Sequence, residues 1–239
     1  MPPTANDLEM YDAYADRWWS GEARWLRTLH NMVPARMRFF DRLVGDWHGL
    51  RVLDLGCGGG FMAEAMAAKG ARVTGVDIAA EALAAARRHA EQQGLAIDYR
   101  EGRGEALPFA DAAFDVVVSC DALEHVEDLG RVLDEVARVV TPDGLFLFDT
   151  INRNPVASFV AVTMAERVLR MLPQGTHDPD LFIRPEDLAR ALERRGFEVG
   201  RFQGLGPTGV DRRGDLTFGL VPLTAVNYLG YARKRPAAR

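Results

Sequence analysis

One stretch constrains the fold of this chain more than any other, and it reads RVLDLGCGGGFMAEAMAAKGARVTGVD from Arg51 to Asp77. Its first five residues form a short apolar run with one acid, which is typical of a buried parallel strand. A turn crowded with glycines follows, in which side chains would block the approach of a ligand to backbone N–H groups. Residues 61–69 have a helical composition and end at Gly70, and residues 72–76 form a second strand. A right-handed βαβ unit then places Asp77 across from the glycine turn, within reach of a ribose diol.

The glycines alone do not identify the ligand, because G-x-G-x-x-G also marks sites for nicotinamide and flavin cofactors. A glycine turn without any ligand is the third alternative. The order Asp54-Leu55-Gly56-Cys57-Gly58-Gly59-Gly60 resembles the E/D-x-G-x-G-x-G signature of class I S-adenosylmethionine (SAM) methyltransferases. SAM carries an ammonium group rather than a phosphate, and an acid such as Asp54 can help to hold it. We therefore assign Asp54, Gly56, Gly58, Gly60 and Asp77 to a SAM site.

Composition excludes several other classes of protein. The chain has 239 residues and a net charge of -5, which argues against a nucleic-acid backbone as the main partner. Two cysteines, Cys57 and Cys120, are too few for a disulfide scaffold and fit a reducing cytoplasm. We find no signal peptide and no apolar run of about 18 residues that would span a membrane. We expect a single cytoplasmic domain over residues 1–239.

The N-terminal extension, residues 1–48, contains two features of interest. Residues 10–19 are dense in aromatic side chains, which either pack as a helix on the main domain or form a lid over the cofactor. Pro34 is expected to open a helix over residues 35–43. Arg36 on that helix either reaches the carboxylate of SAM or is solvated.

The remaining pattern predicts a Rossmann-like α/β fold with a seven-stranded, mostly parallel sheet and helices on both faces. The third, fourth and fifth strands are expected at residues 96–100, 114–119 and 145–150, the sixth at 197–203, and an antiparallel seventh at 225–232. The segment GRGEALPF, residues 102–109, resembles the loop that contacts adenine in these methyltransferases, and it contributes Glu105 to the cofactor set.

Asp121, Glu124 and His125 form a D-x-x-E-H cluster directly after the fourth strand, at the edge where open α/β sheets bind ligands. Two oxygens and one imidazole nitrogen are ligands suited to a divalent cation such as magnesium or zinc. The alternative is that Glu124 and His125 cap or line the pocket without a metal. His125 is also a candidate general base.

A helical insertion follows the fifth strand at residues 151–183. Residues 155–171 are either an interfacial helix with its apolar face in lipid or a roof over the active site. His177 is either a general base for an acceptor hydroxyl or an isolated surface histidine without a role.

From about Tyr11 onward, the chain resembles the ubiquinone-biosynthesis O-methyltransferases, which methylate polyprenyl catechols and demethylubiquinol. The resemblance rests on Ser20 of DRWWS, the Pro34-x-Arg36 pair, VLDLGCGGG, LEHV, Asn152-Arg153-Asn154, and LRMLPQGTHD with FIRPEDL. It implies that Arg36, Gly56, Asp77 and Cys120 contact SAM and that the D-x-x-E-H cluster holds a divalent cation. It also implies a membrane-facing segment at residues 155–171, at the inner face of the membrane.

We therefore expect a SAM-dependent O-methyltransferase acting on a polyprenyl phenol. The alternatives are a methyltransferase of another small phenol or secondary metabolite, and a SAM-binding protein that transfers no methyl group. The oligomeric state does not follow from the sequence.

Overall fold

The computed structural model describes residues 9–168 and 174–236. The helices are α1 (Glu9–Ala13), α2 (Arg24–Val44), α3 (Phe61–Ala67), α4 (Ala80–Gln92), α5 (Leu129–Val139), α6 (Pro155–Ser158) and α7 (Pro185–Glu193). The strands are β1 (Arg51–Leu55), β2 (Arg72–Asp77), β3 (Asp98–Glu101), β4 (Phe114–Ser119), β5 (Val140–Ile151), β6 (Phe197–Val199), β7 (Gln203–Val210), β8 (Leu216–Val221) and β9 (Asn227–Lys234). Short 3-10 helices lie at Ala15–Arg17, Leu123–His125 and Pro179–Leu181.

One sheet joins these strands in the order β3-β2-β1-β4-β5-β9-β7-β8, and β6 also pairs with β9. The first five strands are parallel, whereas β9 is antiparallel to β5, β6 and β7. The Rossmann-like fold and the antiparallel last strand are confirmed. The carboxyl ends of β1, β2 and β4 therefore share one edge of the sheet, as a ligand site at that edge requires.

Alternate residues of each central strand pack on opposite faces of the sheet. Val52 of β1 lies in the core beneath α2, α3 and α4, while its neighbour Leu53 lies in the core beneath α5 and α7. Both residues are fully buried. This burial on two sides explains why β1 and β4 read as nearly continuous apolar runs in the sequence.

The expected number of strands was wrong, because the described chain has a nine-stranded sheet rather than seven strands. The two additional strands, β7 and β8, form an antiparallel hairpin, and the expected sixth strand is only three residues long. Glycines at five positions between residues 203 and 221 interrupt the alternation that identifies strands. The hairpin is fixed to α2, since Arg27 donates to Asp215 at 2.6 Å and Asn31 donates to the Leu216 carbonyl at 3.0 Å.

Pro34 does not open a helix, contrary to the sequence-based expectation. It lies inside α2, which runs unbroken over 21 residues. Pro34 is exposed, so the helix carbonyl that loses its N–H partner there can be solvated. Burial of Met32, Val33, Ala35 and Met37 on the inner side stabilises the helix across this position.

The insertion begins as α6 and continues as a π-helix over Phe159–Val168. Asn154 caps it by accepting a hydrogen bond from the Ala157 N–H at 2.9 Å. Residues 169–171 of the expected helix lie outside the described residues. Within the described parts of the chain, no helix is both long and apolar enough to cross a membrane.

Gly60 at the N-terminus of α3 provides a test of the packing between α3 and β3. Its φ is +90°, and a Cβ there would lie 2.2 Å from the Tyr99 hydroxyl. Gly94 is a matched control, because its φ of +69° is also left-handed but no atom lies within 4 Å of its Cβ position. We expect Gly60→Ala to lower the free energy of unfolding by about 3 kcal/mol and Gly94→Ala by about 1 kcal/mol in urea unfolding. Equal losses would show that the close approach to Tyr99 carries no energetic weight.

Candidate functional site

A cavity of about 540 Å³ opens at the shared carboxyl edge of β1, β2 and β4. This volume is in the usual range for a small-molecule or cofactor site. Of the eight residues that the sequence assigns to the cofactor, these seven line the cavity: Arg36, Asp54, Gly56, Gly58, Asp77, Glu105 and Cys120. The eighth, Gly60, does not line it and instead provides the close contact with β3 described above.

The glycine turn and Asp77 hold each other in place. Gly58 has a φ of +49°, and its N–H donates to Asp77 Oδ2 at 2.7 Å. The Ala79 N–H donates to the other carboxylate oxygen at 2.9 Å. Burial raises the pKa of Asp77, while these backbone donors lower it. The turn is thereby fixed against the carboxylate that is expected to meet a ribose.

Asp54 is a buried acid in the cavity wall whose Oδ2 has no hydrogen-bond partner among the residues that the structure describes. Burial is the main cause that raises its pKa to about 7, and the charge of Asp77 adds to it. A backbone hydrogen bond from Ala63 and the charge of Arg36 lower the pKa of Asp54 only in part, so a cationic group in the cavity would further stabilise its buried carboxylate. The residues present therefore fit the ammonium group of SAM.

Arg36 lies in a buried ion cluster rather than in solvent. Only 3% of its surface is exposed, and it lines the cavity. Its Nε donates to Asp149 Oδ2 at 2.6 Å, and its Nη2 donates to the Asp121 carboxylate. The sequence did not single out Asp149, although an acid within the apolar run LFLFDTI was a signal for a buried ion pair.

The three residues expected to bind a divalent cation do not converge. Asp121 is paired with Arg36, and Glu124 Oε2 accepts a hydrogen bond from the Thr150 hydroxyl at 2.7 Å. Asp121 and His125 line the cavity, whereas Glu124 does not. Burial, with the charge of Asp121, raises the pKa of Glu124 to about 8. Across residues 9–168 and 174–236, no three acidic, histidine or cysteine side chains are arranged to hold a metal ion. The arrangement therefore does not fit the ion.

His177 is held by a buried acid, so it is not an isolated surface histidine. Its Nδ1 lies 2.9 Å from Glu166 Oε1. Glu166 is 2% exposed and also accepts the N–H groups of Gly175 at 2.9 Å and His177 at 3.0 Å. The sequence analysis missed Glu166, and its signal was a single acid in the mostly apolar insertion.

His125 connects this pair to the cavity, because it lines the cavity and stacks on His177 with 5.5 Å between ring centroids. Burial and the neighbouring His177 lower the pKa of His125 to about 3. His125 is therefore neutral at physiological pH and is a weak base. His177 does not itself line the cavity.

The aromatic N-terminal segment both packs on the domain and forms part of the cavity wall. Tyr11 and Trp18 line the cavity. The Trp19 Nε1 donates to the Gly59 carbonyl at 2.9 Å, and its ring stacks on His89 with 3.6 Å between centroids. The packing interpretation of this segment is therefore confirmed, while a lid over the cofactor stays a prediction.

Comparison with known proteins now decides the family. A methyltransferase domain model matches residues 53–148. The chain is 39% identical to a ubiquinone biosynthesis O-methyltransferase of Bordetella avium over 95% of this chain and 93% of the relative. It is also 39% identical to one of Leptothrix cholodnii over 97% of each. The chain belongs to the ubiquinone biosynthesis O-methyltransferases. It is an enzyme of the SAM-dependent methyltransferase class, with SAM as its cofactor.

Solved structures agree on the fold. A SAM-dependent methyltransferase of Methanosarcina mazei matches with a TM-score of 0.59 and 23% identity, covering 81% of this chain and 97% of that one. The [4+2]-cyclase SpnF matches with a TM-score of 0.67 and 20% identity, covering 99% of this chain and 98% of that one. At such identities these similarities show the fold alone.

The raised pKa of Asp54 predicts that SAM binding depends on pH. Below about pH 7 the carboxyl of the free enzyme is protonated and meets the ammonium as a neutral group, whereas above it the group is ionised. We expect the dissociation constant of SAM, measured by calorimetry, to fall about tenfold from pH 5.5 to pH 7.5. Asp54→Asn should remove most of this dependence, and Asp98→Asn at the exposed start of β3 should leave it intact. A pH dependence that survives in Asp54→Asn would assign it to another group.

Proposed function

We propose that this enzyme transfers a methyl group from SAM to a phenolic hydroxyl of a polyprenyl catechol or of demethylubiquinol. The names of the relatives, matched over nearly the whole chain, support this substrate class. The observation that carries the chemistry is the imidazole pair beside the cavity, in which His125 faces the cofactor site and His177 is backed by Glu166. We also propose that residues 1–239 work as one domain, with an N-terminal extension at 1–48 and a substrate- and membrane-facing insertion at 151–183.

The cavity residues supply the cofactor contacts in this proposal. Asp77 holds the ribose hydroxyls, and Asp54 faces the ammonium group at the amino-acid end. Arg36 meets the cofactor carboxylate, and Glu105 lies beside the adenine.

Gly56 and Gly58 allow the backbone to approach the ligand, and Cys120 forms part of the wall. Bound SAM supplies an electrophilic methyl group on sulfur, so the protein has to align the acceptor oxygen and remove its proton.

A phenol with a pKa near 10 is mostly protonated at neutral pH, so it needs a base. With Nδ1 of His177 committed to Glu166, Nε2 is left as the proton-accepting atom. His125 is too weak a base for this step, and its neutral ring borders the acceptor. We therefore assign proton removal to His177, alignment to His125, and orientation of His177 to Glu166. No step is routed through a divalent cation, because the D-x-x-E-H residues do not converge.

Methyl transfer from labelled SAM to a short-chain polyprenyl catechol tests this assignment. We expect His177→Gln to lower kcat about 1,000-fold and Glu166→Gln about 10-fold, with little change in the dissociation constant of SAM. His48→Gln, an exposed histidine at the opposite edge of the sheet, is the control and should keep full activity. The reactions are run with EDTA and with added magnesium or zinc. Full activity of His177→Gln, or activity that requires an added metal, would contradict the assignment.

We further propose that the enzyme works in the cytoplasm and takes its substrate from the inner face of the membrane through the insertion. Val156, Phe159 and Val160 lie at helical i, i+3 and i+4 positions and are 56%, 56% and 37% exposed. The opposite side is packed, because Ala157 and Ala161 are buried in a cluster with Phe182. One-sided exposure of large apolar residues supports contact with lipid.

Sedimentation with anionic vesicles tests the membrane contact. We expect the double substitution Val156→Asp with Phe159→Asp to reduce the vesicle-bound fraction at least fivefold, since it places charge in the apolar face. Val210→Asp is the matched control, because Val210 is 63% exposed but lies at the end of the β7–β8 hairpin. Absence of binding by the unaltered enzyme, or equal loss in both variants, would contradict the proposal and favour a soluble phenol as acceptor.

A further inference from the structure

Asp149 is a buried acid in the sheet to which the cofactor roles above assign no task. It is completely buried near the end of β5, between Phe148 and Thr150. It does not line the cavity. Burial of a carboxylate costs several kcal/mol unless charged or hydrogen-bonding partners compensate it. The groups that contact Asp149 therefore indicate its role.

Those partners are two elements of the cavity wall. Asp149 Oδ2 accepts the Nε of Arg36 at 2.6 Å, and Oδ1 accepts the Asp121 N–H at 2.8 Å. Asp121 has a φ of +48°, an uncommon left-handed value for a residue other than glycine. One carboxylate thus fixes both the direction of Arg36 on α2 and the turn that follows β4.

Arg36 lines the cavity, and its contacts within the protein involve two of its three guanidinium nitrogens. Nε is bound to Asp149, and Nη2 contacts the Asp121 carboxylate and the Met32 sulfur. In the part of the chain that the structure describes, Nη1 makes no hydrogen bond to a protein group. The other arginine of the cavity lining, Arg103, has a side chain that is 53% exposed and is paired with Glu127 at 2.7 Å. Arg36 is therefore the buried cation of the described wall that can meet an anionic ligand group.

We propose that Asp149 is a positioning residue of the cofactor site, which aims Arg36 at the carboxylate of SAM. The inference rests on the cofactor arrangement proposed above. Both hydrogen-bond partners of Asp149, the Arg36 Nε–H and the Asp121 N–H, are donors, and a carboxylate accepts from both at once. An asparagine offers one acceptor oxygen, and its NH₂ group would face a donor at the other contact. Asp149→Asn therefore releases either Arg36 or the Asp121 turn while changing little in volume.

The test compares two ligands by calorimetry: SAM and decarboxylated SAM, which keeps the sulfonium and the amine but lacks the carboxylate. We expect Asp149→Asn to weaken SAM binding about 10-fold and to change binding of decarboxylated SAM less than about 2-fold. A residue needed only for the fold would weaken both ligands equally. Asp115→Asn is the matched control, because Asp115 pairs with Arg51 at 2.6 Å at the opposite end of the sheet. It should leave both dissociation constants unchanged.

Two further variants separate this inference from the proposed cofactor arrangement. Arg36→Gln should lose the preference for SAM over decarboxylated SAM; if it keeps that preference, the assignment of Arg36 to the carboxylate fails. If Arg36→Gln loses the preference and Asp149→Asn keeps it, the positioning role of Asp149 alone is overturned. Should Asp149→Asn not fold, Asp149→Glu is measured with the same two ligands. A selective loss of SAM binding in it supports the inference, and equal changes for both ligands overturn it.

Discussion

The buried ion cluster of Arg36, Asp149 and Asp121 is the interaction on which the arrangement of this enzyme depends. It joins α2, which precedes the sheet in the chain, to the ends of β4 and β5. Without compensating charges, neither Arg36 nor Asp149 would be stable in the interior. The same cluster fixes the wall of the cavity at which the cofactor carboxylate is expected. The N-terminal extension is therefore part of the site as well as an addition to the fold.

Local signals in the sequence predicted the glycine turn and Asp77. The contact between Arg36 and Asp149, by contrast, depends on residues that are distant in the sequence. The glycine turn and Asp77 belong to one βαβ unit, whose geometry is nearly fixed once its strands and helix are recognised. Asp149 and Arg36 are 113 positions apart, and only the packing of α2 on the sheet brings them together. The only sequence signal for a role of Glu166 was its position as an acid in a mostly apolar segment. The β7–β8 hairpin was missed because its glycines hide the strand period, although Phe218 and Leu220 pack on the main core.

The titratable groups around the cavity differ in charge between its two ends. Near the glycine turn lie acids, of which Asp54 has a pKa raised to about 7 by burial. At the insertion side lies the uncharged His125, with a pKa lowered to about 3. The same cause, removal from water, acts in opposite directions on an acid and on a base. A cationic cofactor is thus favoured at one end of the cavity, and a neutral aromatic ring is tolerated at the other.

The position of β9 has a consequence for synthesis of the protein. It is the last of the strands that the structure describes, yet it lies between β5 and the β7–β8 hairpin. On the ribosome, the edge of β5 stays unpaired until residues 227–234 have emerged, and an open edge with Phe146 and Phe148 beside it is prone to aggregate. A chain that ends before Asn227 would lack β9 and leave the facing edges of β5 and β7 uncovered, which would make it a substrate for chaperones and proteases.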